Sequence, residues 1–152
     1  MKRLITASLL SLALAGTALA QVTVSEPWVR ATVAAQKASG AFMKLTAGTN
    51  TRLVDARSPV AGVVEIHEMA LENNVMKMRA VAGIDLPAGK PVELKPGGYH
   101  VMLLDLKGPL NVGDTVPITL VFEGPEKARQ TIEVKASVRA LTASGHGSMG
   151  KH

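Results

Sequence analysis

The most informative feature of this 152-residue chain is a residue type that it lacks, since it contains no cysteine. The absence excludes disulfide bonds, thiolate nucleophiles, iron–sulfur clusters and cysteine-based zinc sites. It also excludes a blue-copper electron-transfer centre, because that chromophore requires a cysteine thiolate. Seven methionines and four histidines remain as soft or borderline metal ligands. Any site for such a metal must therefore be built from them.

Aromatic residues and excess charge are also scarce. The chain has one Trp, one Tyr and two Phe, and its formal net charge is +5. A protein that binds nucleic acid usually presents a Lys/Arg stripe together with aromatic side chains on which bases stack. We therefore expect no nucleic-acid partner. The remaining composition, 47% hydrophobic and 19% charged, is typical of a single globular domain.

Long hydrophobic runs are limited to the N-terminus. Lys2 and Arg3 precede an apolar run from Leu4 to Ala15, and Ala18-Leu19-Ala20 follows. This pattern predicts a secretory signal peptide over residues 1–20, with an uncleaved membrane anchor as the alternative. No other stretch approaches the roughly 20 apolar residues of a membrane helix. We therefore expect an exported protein with no membrane span after cleavage, located in the periplasm or on the outer cell surface.

Beyond the leader, local patterns predict one all-β domain over residues 21–141. Residues alternate in the way typical of strands at 21–24, Val63–His67 and Thr131–Lys135, and turn residues recur at regular intervals between such segments. This spacing favours an antiparallel sandwich or barrel. Asn73-Asn74 is predicted to form the tip of a hairpin. Residues 34–38 are predicted to form one helical turn.

Three pairs of metal-binding side chains stand out in this domain. On a strand, residues two apart lie on the same face, about 6.6 Å from each other. If the three strands are neighbours, imidazole nitrogens and thioether sulfurs can converge on one ion. Thioethers bind Cu(I), whereas they hardly bind Mg²⁺ or Ca²⁺ and are not zinc ligands. The pairs are His67 with Met69, Met76 with Met78, and His100 with Met102.

The alternative explanation is that these methionines fill gaps in the core, a common use of the residue. For Met69 and Met76 it accounts for the pattern as well as ligation does. Glu65 and Glu68 are close to His67 in sequence. We expect them to be solvated strand carboxylates.

The spacing of four of these residues resembles a known signature. His67 and Met78 are separated by ten residues, Met78 and His100 by twenty-one, and His100 and Met102 by one. This His-x10-Met-x21-His-x-Met arrangement resembles that of the PCu(A)C family of periplasmic copper chaperones. The resemblance extends from about Val24 to Val138 and includes the segments Glu26–Ala31, Gly40–Met43, Val64–Met69 and Gly98–Leu103.

The resemblance implies a cupredoxin-like Greek-key β-barrel or sandwich that binds one Cu(I) near its surface through His67, Met78, His100 and Met102. It also implies delivery of copper to a respiratory oxidase copper centre or to its assembly factor. Such a carrier is not an enzyme, and we expect a monomer. Two alternatives stay open. One is a copper-dependent oxidase or oxygenase using the same residues, and the other is a β-sandwich interaction domain that binds no metal.

The composition changes after Leu141, and residues 142–152 are predicted to form a flexible tail. His146, Met149 and His152 occur there at intervals of three among Gly and Ser. Some members of the PCu(A)C family carry His/Met-rich C-terminal extensions that bind Cu(II). By that resemblance the tail is a candidate secondary metal site, as is Met69 in the domain, with incidental residues at a disordered end as the alternative.

Overall fold

Residues 22–140 are described by a computed structural model and form ten strands. The predicted signal peptide, residues 1–20, and the predicted tail, residues 142–152, lie outside the described residues. A short 3₁₀ turn, Pro125–Lys127, separates the last two strands. In chain order the strands are β1 (Val22–Arg30), β2 (Ala38–Ala47), β3 (Thr51–Arg57), β4 (Ala61–Glu72), β5 (Val75–Ala80), β6 (Ile84–Leu86), β7 (Val92–Leu94), β8 (His100–Leu106), β9 (Thr115–Glu123) and β10 (Arg129–Arg139).

All ten strands belong to one sheet. Its order is β5-β4-β8-β2-β1-β10-β9-β3-β6, with β7 pairing with β2 beside this path. The β1–β10 pair is parallel, and the other pairs are antiparallel. The predicted all-β class is confirmed. Within residues 22–140, no helix is long and apolar enough to span a membrane.

The hydrophobic core decides which face of the sheet carries the histidines and methionines. Val101 and Leu103 of β8 are fully buried, and Ile66 of β4 is almost so. Full burial of such a side chain contributes roughly 1.5–3 kcal/mol, so these residues hold their strands in one orientation. Because successive side chains of a strand point to opposite faces, His100 and Met102 lie on the outer face.

A tight hairpin joins β4 to β5. Asn73 and Asn74 have φ angles of 50° and 64°, and the flanking residues Glu72 and Val75 pair with each other. Two central residues with positive φ are typical of a type I′ turn, whose twist matches that of the strands. The predicted hairpin is confirmed. This turn fixes the register of the two strands and therefore which residue of β4 faces Met78.

The helical turn predicted over residues 34–38 is wrong. Ala34 and Ala35 form a single turn, closed by a hydrogen bond from the Gln36 N–H to the Val33 carbonyl oxygen at 3.0 Å. Ala38 already begins β2, where it pairs with Leu104 of β8. Ala38 is therefore part of a strand and cannot belong to a helix. The four remaining residues, 34–37, are too few for helical hydrogen bonds to offset the cost of helix nucleation.

Candidate metal site

The strand order brings the three His/Met pairs together on the outer face. β4 lies between β5 and β8. His67 of β4 is directly opposite His100 of β8, and Met69 of β4 is directly opposite Met78 of β5. Directly opposite residues of antiparallel strands have Cβ atoms about 4.5–5.5 Å apart and share a face. Met102 lies on this face as well, two residues beyond His100.

Two of the predicted donors are already in contact. The Nε2 atom of His100 is 3.1 Å from the Sδ atom of Met78. A nitrogen and a sulfur that share one ion, with bonds of about 2.0 and 2.3 Å, are about 3.5 Å apart at a tetrahedral angle. The two atoms can therefore bind the same ion after a shift of a few tenths of an ångström.

The second histidine is also within range of a shared ion. The ring centroids of His67 and His100 are 5.7 Å apart, and the ring planes are inclined by 53°. Two imidazoles that bind one ion through nitrogen bonds of about 2.0 Å can have ring centres up to roughly 6 Å apart. The separation of the rings thus permits both histidines to bind one ion.

A groove of ≈ 390 Å³ opens over these residues. It is lined by Met69, Met78, His100 and Met102. Its other walls come from the end of β1, the first half of β2, one residue of the connection between them, and the segment before β8: Arg30, Gln36, Ala38, Ser39, Gly40, Phe42, Pro96 and Gly97. His67 is not among the lining residues, although its exposed fraction of 9% is close to the 6% of His100, which does line the groove. Among the predicted donors, Met78 is 47% exposed, whereas both histidines are buried.

Local contacts fix the tautomer of His100. Its Nδ1–H donates a hydrogen bond to the carbonyl oxygen of Gly98 at 3.0 Å. The lone pair of the neutral ring is then on Nε2, the atom that faces Met78. Burial lowers the pKa of His100, a shift that the Gly98 hydrogen bond opposes and that the nearby His67 and Arg30 increase. The neutral form, which is the one that binds metals, is thereby favoured.

His67 has a different partner, which sequence reasoning misjudged. The carboxylate of Glu65 accepts a hydrogen bond from the Nε2–H of His67 at 2.6 Å, although Glu65 is expected from the sequence to be simply solvated. Among residues 22–140, the buried Nδ1 atom of His67 has no hydrogen-bond partner. The period-two alternation of β4 was the available signal, since it puts Glu65 on the same face as His67. Glu68, which was also expected to be solvated, lies on the other face and forms an ion pair with Arg79. Its side chain is 21% exposed, compared with 40% for Glu65.

An aromatic wall supports His100 from the side of β2, and sequence reasoning missed it too. The Phe42 ring is 6.2 Å from the His100 ring and 4.6 Å from the Trp28 ring, measured between centroids. The guanidinium carbon of Arg30 lies 5.7 Å from the Phe42 centroid. The available signal was the resemblance of the segments Glu26–Ala31 and Gly40–Met43 to the family. That resemblance does not link these residues of β1 and β2 to the predicted donors, which are distant in sequence.

Comparisons with known proteins agree with this geometry. The family model described as Putative lipoprotein LpqE-like matches residues 22–138. This chain belongs to the LpqE-like family, which is of the PCu(A)C type. One relative in the family is Putative lipoprotein Lxx21020 of Leifsonia xyli subsp. xyli, which is 34% identical over 115 residues that make up 75% of this chain and 69% of the relative. Uncharacterized protein RP573 of Rickettsia prowazekii is 36% identical over 125 residues, 78% of this chain and 67% of the relative.

Two solved PCu(A)C structures illustrate the similarity in fold. The solution structure of CuI-DR1885 from Deinococcus radiodurans has a TM-score of 0.63 and 32% identity, and the match covers 84% of each chain. The copper-bound PCuAC domain from PmoF2 has a TM-score of 0.61 and 27% identity, covering 81% of this chain and 96% of that one. The resemblance inferred from the motif is thus confirmed, and with it the cupredoxin-like fold.

The exposure of the methionines tests the alternative explanation that they fill gaps in the core. Met78 and Met76 of this PCu(A)C-type chain are each about half exposed, and Met78 contacts an imidazole, so neither is a core gap-filler. Residues 22–140 contain no group of three or more His, Asp or Glu placed to hold a metal ion. A metal at the outer face therefore depends on the thioethers. His146, Met149 and His152 lie outside the described residues.

Proposed function

We propose that this protein is a copper carrier that binds one Cu(I) ion through His67, Met78, His100 and Met102. The observation that carries the proposal is the contact of 3.1 Å between the His100 Nε2 and the Met78 Sδ, on a face where His67 lies directly opposite His100. Two neutral imidazoles and two neutral thioethers form a soft donor set without charge, which suits a monovalent soft cation.

The family comparisons support copper as the cargo. Two of the similar solved structures are described as copper-bound or as a Cu(I) form. Hard cations are disfavoured at this site, because the described residues provide no carboxylate-rich or three-histidine alternative to the thioethers. We therefore assign Cu(I) rather than Zn²⁺, Mg²⁺ or Ca²⁺.

Transfer to an acceptor, rather than turnover, is the proposed role. Met78 is 47% exposed, and it lies on β5, the strand at one end of the sheet order. An incoming thiolate of an acceptor is charged and softer than a thioether, so it can displace the donors one at a time. The acceptor that the family resemblance suggests is a respiratory oxidase copper centre or its assembly factor. The predicted signal peptide puts this exchange in the periplasm.

Met69 is proposed as a spare donor. It is directly opposite Met78 and lines the same groove as Met78, His100 and Met102. A thioether in this position can replace Met78 or Met102 as the ion enters or leaves. Replacing Met69 with leucine should therefore slow copper exchange more than it weakens equilibrium binding.

The tail is proposed as a separate Cu(II) site formed by His146, Met149 and His152. Imidazoles suit the oxidised ion better than thioethers do. The last described strand ends beside the groove, since Arg139 of β10 pairs with Arg30 of β1, and Arg30 lines the groove. A chain that leaves this point carries His146 at most about 25 Å away. Removal of residues 142–152 should abolish Cu(II) binding and leave Cu(I) binding intact.

The test is an anaerobic titration of the mature protein with Cu(I) against a coloured competing chelator. We expect one tight site, which Met78→Leu and His100→Ala each weaken. Met43→Leu is the matched control, because Met43 lies in the core on the opposite face of the sheet and its sulfur cannot reach the groove. Unchanged affinity in both site variants would refute the proposal.

A further inference from the structure

Glu65 has a role at this site that neither the motif nor the family comparisons assign. We propose that Glu65 is a positioning residue, whose carboxylate holds the Nε2–H of His67 so that His67 binds Cu(I) through Nδ1. The inference rests on the proposed copper function and specifies which atom of His67 carries it.

The hydrogen bond itself sets the tautomer. The Oε2 atom of Glu65 is 2.6 Å from the Nε2 atom of His67, a short distance for a bond to a charged acceptor. An ionised carboxylate can only accept hydrogen bonds, so Nε2 must carry the proton. The lone pair of the neutral ring is then on Nδ1.

The Nδ1 atom is the one that lacks a partner. It is buried, and no group among residues 22–140 forms a hydrogen bond with it, while His67 as a whole is only 9% exposed. Buried polar atoms are nearly always paired, and a native exception calls for an explanation such as an absent ion. Because His67 lies directly opposite His100 in the register of β4 and β8, a metal ion bound between the two rings in the loaded protein would supply the partner that this lone pair lacks.

In each histidine one ring nitrogen donates a hydrogen bond and the other is free to bind the metal, but the two rings use different nitrogens for these roles. His100 donates its Nδ1–H to Gly98 and keeps Nε2 for the metal. His67 donates its Nε2–H to Glu65 and keeps Nδ1. Metal-binding histidines usually donate their other ring N–H to a carboxylate or a carbonyl, which fixes the tautomer and the orientation of the ring. Each ring at this site has one such acceptor.

The rival explanation makes the opposite prediction. If copper binds Nε2 of His67, Glu65 occupies that atom in the free protein and must be displaced. Removing the carboxylate would then strengthen Cu(I) binding. If Glu65 positions the ring, removing it weakens binding by about 10–100-fold, the usual effect of losing an outer partner of a metal ligand.

Two substitutions separate the hydrogen bond from the charge. Glu65→Gln is neutral but keeps an oxygen acceptor at the same place, so Cu(I) affinity should stay close to that of the unmodified protein. Glu65→Ala loses the acceptor, and its affinity should fall by about 10–100-fold. Glu133→Ala is the control for charge loss, because Glu133 is an exposed residue in the middle of β10, where it pairs with Thr119 of β9 and lies six residues before the end of the strand that is beside the groove. Its affinity should be unchanged.

Nitrogen-15 NMR of the imidazole rings supplies a readout that a merely structural role would not move. We expect His67 in the metal-free protein to be protonated at Nε2, to keep that proton when Cu(I) binds, and to lose the tautomer preference in Glu65→Ala. Protonation at Nδ1, loss of the Nε2 proton on loading, or an unchanged or higher Cu(I) affinity in Glu65→Ala would each overturn the inference. In those cases the unmodified protein still binds Cu(I) and the proposed function stands. If the unmodified protein binds no Cu(I), the proposed function fails and this inference fails with it.

Discussion

Replacing Gly40 with alanine should displace the aromatic wall behind His100. Gly40 is directly opposite Met102, and the Phe42 ring lies over it. A Cβ atom added at Gly40 would be 2.9 Å from Cζ of Phe42 and 3.3 Å from Cε2. Phe42 is only 3% exposed and packs against Trp28, so its ring can move away only by disturbing its neighbours.

Two opposing terms set the size of the effect. Alanine restricts the unfolded chain more than glycine does, which stabilises the folded protein by about 0.4–1 kcal/mol when the backbone allows it. Inserting a methyl group into a well-packed region costs about 1–3 kcal/mol. The packing cost is larger, so we expect Gly40→Ala to lose about 1 kcal/mol of stability. For a domain of this length, that loss lowers Tm by roughly 4 °C.

The assay is chemical unfolding of the metal-free protein as Gly40→Ala, Phe42→Leu and the double variant. Leucine at position 42 removes the ring atoms that the new methyl group would meet. The double variant should therefore lose less stability than the two single variants together, by about 1 kcal/mol of coupling. Cu(I) affinity should also fall in Gly40→Ala, because Phe42 supports the His100 ring. A Gly40→Ala protein as stable as the unmodified one, or strictly additive losses, would refute this account of the wall.

Three further expectations concern pH, the hairpin and metal selectivity. The metal-free protein should lose stability as the pH falls below about 6.5, because burial lowers the pKa of His100 and the unfolded state then binds the proton more readily. Unfolding measured between about pH 7 and 5 should show a smaller slope in His100→Gln, and an equal slope would contradict the assignment. At the hairpin tip, Asn74 has a φ of 64°, so Asn74→Val should cost about 1–3 kcal/mol whereas Asn74→Gly should be nearly neutral. Equal unfolding midpoints for these two variants would show that the turn does not require positive φ. Finally, Met78→Leu combined with Met102→Leu should weaken Cu(I) binding much more than Zn²⁺ binding, since thioethers contribute to the former alone. A parallel loss for both metals in competition titrations would count against a soft-donor site.

Local patterns in the sequence account for much of the framework of the site. The alternation in Val63–His67 identifies a strand and the face on which His67 lies. The pair Asn73-Asn74 predicts the turn that puts Met78 beside β4, because positive φ at both positions is a property of those residues and not of the rest of the fold. Local patterns therefore predict the fold class and the three His/Met pairs, whereas the choice of His67, Met78, His100 and Met102 among those pairs is what the family resemblance implies.

Contacts between distant segments could not be derived in the same way. The pairing of β4 with β8 puts His67 opposite His100, although β5, β6 and β7 lie between the two strands in the sequence. No local conformational preference specifies that pairing. Only the family spacing implied that these residues meet. The error at residues 34–38 has a related cause, since the strand that begins at Ala38 is fixed by its partners β1 and β8 and not by its own sequence. Glu65 was misjudged because its exposure was considered without its neighbour on the same face.

The proposed donors differ in how firmly the fold holds them, and in the proposed carrier this difference bears on how copper would leave. His67 and His100 are buried on the inner strands β4 and β8, and each has a hydrogen-bond acceptor for its second ring nitrogen. Met78 lies on β5, whose six residues are all exposed and which ends the sheet order beside β4. Elements with few buried contacts open at a lower free energy than core strands. The local opening of lowest free energy is thus the separation of β5 from β4, which moves the Met78 thioether away while both imidazoles stay in place. An acceptor should therefore contact Cu(I) first on the Met78 side. If release began at the histidines instead, transfer would require the core strands to separate, and its rate would follow the global stability of the domain.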